Sequence, residues 1–195
     1  MNARETPPYS VKTDLSLPID KALLQRVSHA DNASLFGHVG THFDAMDKPF
    51  PLEYTERPAV VFDVSSVLKR EISLSDIDIE RIHAGCAVLF HTGFIEAEEY
   101  GSEAYHKNHP QLSYPLIDAL LDRGISLIGI DAAGIRRGKE HTPADQYCAD
   151  HGVFVIENLC NLGSFTEKEC ILVHTYPIHL VGFTGIPCRV IAERQ

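Results

Sequence analysis

The sequence predicts a layered α/β domain. Two observations carry the prediction: short apolar runs rich in β-branched residues and bounded by turn formers, and a helix, Gly, strand order that occurs twice, as LIDALLDRGISLIGID and ADQYCADHGVFVIENL. Size is the third. At 195 residues the chain can bury about 70% of its unfolded surface around one core, and no Gly/Ser/Pro-rich linker divides it, so residues 1–195 read as a single domain.

Taken in order, strands are expected at residues 59–64, 87–90, 126–130, 153–156, 170–174 and 189–192. Between them lie two helices. Residues 116–123 place Leu116, Ile117, Leu120 and Leu121 at helical spacing and stop at Gly124, and a second helix is expected over residues 145–150, before Gly152. Asp131 and Glu157 close two of the strands, where α/β sheets gather binding and chemistry.

Charge narrows the function. Acidic residues outnumber basic ones 27 to 17, for a net charge of -10, and no segment concentrates Lys and Arg, which argues against nucleic acid as a partner. The five cysteines are scattered, with no Cys-x-x-Cys pair, and predict neither a disulfide framework nor a thiolate zinc site. No apolar segment has the length of a signal peptide or a membrane span, so a cytoplasmic protein without a membrane partner is expected.

Histidine is the richer clue, with 11 in the chain. The densest group of potential ligands is His38-Val39-Gly40-Thr41-His42-Phe43-Asp44. Two imidazoles and a carboxylate converge if this segment is a helical turn running into an extended residue, and N₂O with open positions is the donor set of a catalytic zinc, manganese or iron site. Spacing alone leaves the alternative of two unrelated histidines open.

HVGTHFD also resembles the His-x-Gly-Thr-His-x-Asp signature of the cyclase family of metal-dependent hydrolases, which includes bacterial kynurenine formamidases. Asp14-Leu15-Ser16, VLFHTGF, LIGID, GVFVIENLCNL and PIHLVGFTGIPCRVIA are similar, in order, to further blocks of that family. The resemblance implies a swivelling β/α/β fold, a homodimer or homotetramer, a small-molecule substrate and a divalent metal, zinc or manganese. Carried onto this sequence, the metal ligands are His38, His42, Asp44 and Glu157, with Glu157 alternatively a proton shuttle.

Two departures qualify the resemblance. Lys48 stands where the family signature ends in histidine, and Asp145, followed by Gln146, stands twelve residues before Glu157, where the family commonly has a metal-binding histidine. A lysine is a cation at neutral pH and is expected to stabilise an oxyanion or hold the substrate rather than bind metal. One ion per chain is therefore expected; His106, His109, His141 and His151 are the nearby histidines that could compensate for the missing imidazoles, each read first as an ordinary surface or loop histidine. With no tryptophan in the chain, Phe36, Phe43, Phe50 and Tyr54 are the candidates to stack an aromatic substrate. The reading that follows is hydrolysis of a small amide, lactam or lactone with arylformamidase-like chemistry; the alternative is a weakly active or inactive relative that binds metal or a small ligand.

Overall fold

The computed structural model describes residues 11–18, 37–67 and 69–195. Its strands are β1 (Lys12–Asp14), β2 (His42–Asp44), β3 (Glu56–Asp63), β4 (Ala87–His91), β5 (Leu127–Ile130), β6 (Phe154–Glu157), β7 (Ile171–Pro177) and β8 (Gly185–Arg194). The α-helices among the described residues are α1 (Phe94–Ala97), α2 (Glu103–Asn108), α3 (Tyr114–Asp122) and α4 (His141–Asp150).

The mixed α/β class is as expected, but the sheet closes on itself. Strands run in the order β1-β8-β2-β6-β5-β4-β3-β7, and β7 pairs back onto β8 over residues 171–177 and 188–194. One edge of β8 carries β2 at its start and β1 further along, while its other edge carries β7. Seven strands thus form a closed barrel, with β3 to β6 parallel and the remaining pairs antiparallel. Closure leaves fewer open edges, and it explains why β7 and β8 extend beyond the apolar stretches that mark them in the sequence.

Side chains alternate across the barrel wall. Ala87, Leu89, Leu127, Phe154 and Ile156 point inward with Phe43, Val61, Val173 and Val190, forming the barrel interior. Val88, Phe90, Ile128, Ile130 and Val155 point outward to meet Leu116, Ile117 and Leu120 of α3 and Ala144 and Cys148 of α4. Both faces of these strands are buried, which is why they read as continuous apolar runs rather than alternating ones. Helix α3 starts at Ser113, whose hydroxyl accepts from Leu116 N, and carries Pro115 in its first turn.

Helix α4 corrects the sequence reading at its start. It begins at His141, not at Asp145, because Pro143 falls in the first turn, where its missing N–H breaks no helical hydrogen bond. Among the described residues no helix is long and apolar enough to cross a membrane.

Candidate metal centre

The barrel wall places the histidine motif. Phe43 points inward, so its neighbours His42 and Asp44 both point outward from β2, on the side covered by α4. The expected helical turn through this segment is not what forms: residues 37–41 make a turn and bend, and His42 to Asp44 is strand. His42 and Asp44 therefore share a face by strand alternation, and His38 reaches them from the turn. On the adjoining strand β6, Glu157 lies directly opposite His42 in the antiparallel register and points to the same side.

The four expected ligands converge. His38 Nε2 is 3.3 Å and His42 Nε2 3.6 Å from Asp44 Oδ1, and His42 Nε2 is 3.5 Å from Glu157 Oε2. Two residues of α4 complete the cluster, because His141 and Asp145 lie one helical turn apart on the face toward the barrel. His141 Nε2 is 3.2 Å from both Asp145 Oδ2 and Glu157 Oε1. Donor atoms thus fall into two groups that share Asp44, one of His38, His42 and Asp44 and one of Asp44, His141, Asp145 and Glu157. Of the four histidines that could compensate, His141 is the one brought into the cluster, and its i, i+4 spacing to Asp145 is the signal that singles it out.

Burial makes this cluster unusual. His42, Asp44, Asp145 and Glu157 are each at most 4% exposed, yet His42 Nε2, Asp44 Oδ2, Asp145 Oδ1 and Glu157 Oε1 make no hydrogen bond. An unsatisfied buried polar atom costs about 1–3 kcal/mol, so four of them in the two ligand groups that share Asp44 fit a site built to take up a divalent cation. Burial, reinforced by the charge of Asp44, pushes the Glu157 and Asp145 carboxyls well above the usual carboxylate range. Burial opposes ionisation of Asp44 too, but His42 and His38 outweigh it and hold that carboxyl low. Burial also lowers the affinity of His141 for a proton.

Hydrogen bonds fix how the imidazole of His42 is presented. Its Nδ1 lies 2.8 Å from the Gly40 carbonyl, which can only accept, so Nδ1 carries a proton and Nε2 is the nitrogen turned to the cluster. Asn158 Nδ2 donates to the same carbonyl, and Tyr105 Oη donates to Asn158 Oδ1 at 2.8 Å. Thr41 Oγ1 donates to the Asn158 carbonyl, and Asn158 holds all this in a left-handed conformation, with φ of 57°. Two glycines make room for the rings. A Cβ on Gly185 would stand 2.7 Å from the His38 ring, and one on Gly134 would stand 2.8 Å from both Glu157 Oε1 and His141 Cε1.

Lys48 is not brought into this cluster. Its Nζ is 2.7 Å from Asp150 and 3.1 Å from Asp47, which ties the chain after β2 to the end of α4. Asp131, at the other strand end singled out by sequence, accepts from Thr92 N, Thr92 Oγ1 and Gly93 N, and so joins the ends of β4 and β5. Of the aromatic candidates, Phe43 is fully buried and packs against Phe50, which in turn meets Tyr54 and Phe154, so Phe43 offers no ring to a substrate. Phe36 lies outside the described residues.

The cluster can hold a divalent ion with two neutral imidazoles and a carboxylate while leaving a further carboxylate beside it for proton transfer, the arrangement used in hydrolysis of carbonyl compounds. Comparison with known proteins agrees with that chemistry. A family model described as putative cyclase matches residues 13–136. No curated protein matches the chain. Among solved structures, a potential metal-dependent hydrolase with cyclase activity is 25% identical, with a TM-score of 0.75 over 96% of this chain and 99% of that one. A predicted metal-dependent hydrolase from Bacillus stearothermophilus is 24% identical, with a TM-score of 0.71 over 95% of this chain and 99% of its own. Isatin hydrolase A from Ralstonia solanacearum is 20% identical, with a TM-score of 0.73 over 95% and 92% of the two chains. The last two likenesses show a shared fold.

Proposed function

The chain belongs to the putative cyclase family, and from that premise we propose that it is a metal-dependent hydrolase of a small amide, lactam or lactone, with arylformamides within its range. The observation that carries the proposal is the convergence of four buried donor atoms without hydrogen-bond partners, supplied by His42, Asp44, Asp145 and Glu157.

In this reading His38, His42 and Asp44 hold one zinc or manganese ion, with Glu157 beside it as a further ligand or as a proton carrier. When bound, such an ion lowers the pKa of water and polarises a carbonyl. The protein's own groups do the rest. The Gly40 carbonyl keeps the proton of His42 on Nδ1, so that Nε2 stays a donor to the ion. Glu157 Oε1 accepts the proton of the attacking water and returns it to the leaving nitrogen or oxygen, with His141 Nε2 at 3.2 Å steadying that oxygen. Lys48 lies in the wall of a neighbouring cavity, and we assign it to orienting the substrate rather than to the oxyanion.

The shared fold supports the reading, because isatin is itself a lactam and isatin hydrolases have this architecture. The swivelling β/α/β description and a homodimer or homotetramer belong to the same reading and rest on the family resemblance. A second ion, in the group of Asp44, His141, Asp145 and Glu157, is the competing arrangement, favoured by the unpartnered Asp145 Oδ1. The test is a panel of an arylformamide, a cyclic imide, a lactam and a lactone, assayed with zinc, with manganese and after chelation. At least one is expected to be hydrolysed in proportion to metal occupancy; a fully loaded protein inert on the whole panel contradicts the proposal.

A further inference from the structure

The cavity over the metal ligands measures about 290 Å³ and is lined by polar groups together with Met46. It is small for a whole substrate, since sites that enclose small organic molecules commonly run from about 300 to 1,000 Å³. Beside it lies a second cavity of about 720 Å³, bounded by the chain after β2 on one side and the β7–β8 connection on the other. Its walls are largely apolar: Phe50, Leu52, Ile178, Val181, Phe183 and Met46. Leu52 and Val181 are 79% and 81% exposed, so an apolar surface is held open to solvent at this point.

The two cavities share a wall residue. Met46 lines both, with a left-handed backbone at φ of 55°. Its N–H and that of Ala45 donate to the Thr184 carbonyl at 3.0 and 2.8 Å, which fixes the β7–β8 connection against the metal-binding strand. Thr184 lines the small cavity and Phe183 the large one. A molecule held at the metal ligands therefore has an apolar chamber next to it, across one flexible methionine side chain.

We infer that the large cavity seats an alkyl or aryl substituent of the substrate, while the scissile carbonyl lies in the small cavity, and that Met46 sets the passage between them. The inference rests on the metal-dependent hydrolase reading and adds a substrate class to it: amides, lactams or lactones bearing an apolar group of several carbons.

The test uses the zinc-loaded protein and a series of alkanohydroxamates from acetohydroxamate to octanohydroxamate, with dissociation constants measured by calorimetry. The hydroxamate head is held at the ion, so the alkyl arm reports whether an apolar chamber lies within reach, whichever side of the scissile bond carries the substituent. Affinity is expected to rise about three- to fourfold per added methylene until the chamber is filled. Val181→Asp, at an exposed position that does not threaten folding, is expected to flatten that rise. Acetohydroxamate binding with no gain on lengthening overturns the chamber while leaving the metal centre intact. Binding of no hydroxamate at all contradicts the metal centre, and the chamber with it. A Val181→Asp variant that keeps the full rise but changes its sedimentation assigns this face to contact between copies of the chain, and also overturns the inference.

Discussion

His42 and Glu157 stand directly opposite each other on neighbouring antiparallel strands, with His42 Nε2 3.5 Å from Glu157 Oε2. The register of the barrel, rather than any loop, thus sets the distance between an imidazole of the histidine motif and a carboxylate more than a hundred residues later. Glu157→Gln keeps the shape of the side chain and removes its charge. It is expected to lower metal affinity at least tenfold, judged by chelator competition, and to reduce hydrolysis further, while the thermal midpoint of the metal-free protein holds or rises.

Tyr105 acts at one remove. Its hydroxyl donates to Asn158, which shares the Gly40 carbonyl with His42 Nδ1. Tyr105→Phe deletes only that hydroxyl and leaves the Asn158 oxygen without its donor. Metal affinity is expected to fall about tenfold, with about 1–2 kcal/mol lost in denaturant unfolding. Unchanged metal affinity would detach the network from His42.

Glycine at position 185 is required by contact, not by conformation. Gly185→Ala would drive a methyl to 2.7 Å from the His38 ring. Metal affinity is expected to drop by more than tenfold, and a crystal structure of the variant is expected to show His38 displaced. The outcome that tells against this is a normally loaded protein with His38 in place.

How much of this was legible in the sequence follows the range of the interactions. The central strands announce themselves because both their faces are buried, and the residues singled out in HVGTHFD, His38, His42 and Asp44, do come together in space, although the segment is turn and strand, not helix. The pairing of β7 with β8, which closes the barrel, is a relation between distant segments that no local pattern encodes. His141 could be named only as one of four nearby histidines, because a helix expected from Asp145 onward leaves it outside any element. Once the helix starts a turn earlier, His141 falls above Asp145 and enters the site. Lys48 shows what a motif position leaves open: its contacts with Asp47 and Asp150 and its place outside the ligand cluster come from tertiary structure and could not be read from the spacing.

Acid stability offers a test away from the metal. His109 is 1% exposed, and burial pulls its pKa down to about 4, despite the bond from Nδ1 to the Pro110 carbonyl. Between the ordinary histidine value near 6.5 and that folded value, the unfolded chain binds a proton that the native protein refuses. Stability from this residue is therefore complete above about pH 6.5 and is lost as pH falls toward 4, by about 3 kcal/mol. His109→Gln is expected to remove that difference. Unfolding free energies of the two proteins measured from pH 7 to pH 4 should converge as pH falls; parallel curves would contradict the assignment.

Elemental analysis of the purified protein beside its His42→Ala variant reaches the central claim most directly. The account predicts one zinc or manganese ion per chain in the wild type and none retained by the variant after dialysis. A wild-type protein that binds no metal, or a variant that keeps its full complement, contradicts the metal centre, and two ions per chain contradict the single-ion arrangement by showing that the His141 group is filled as well.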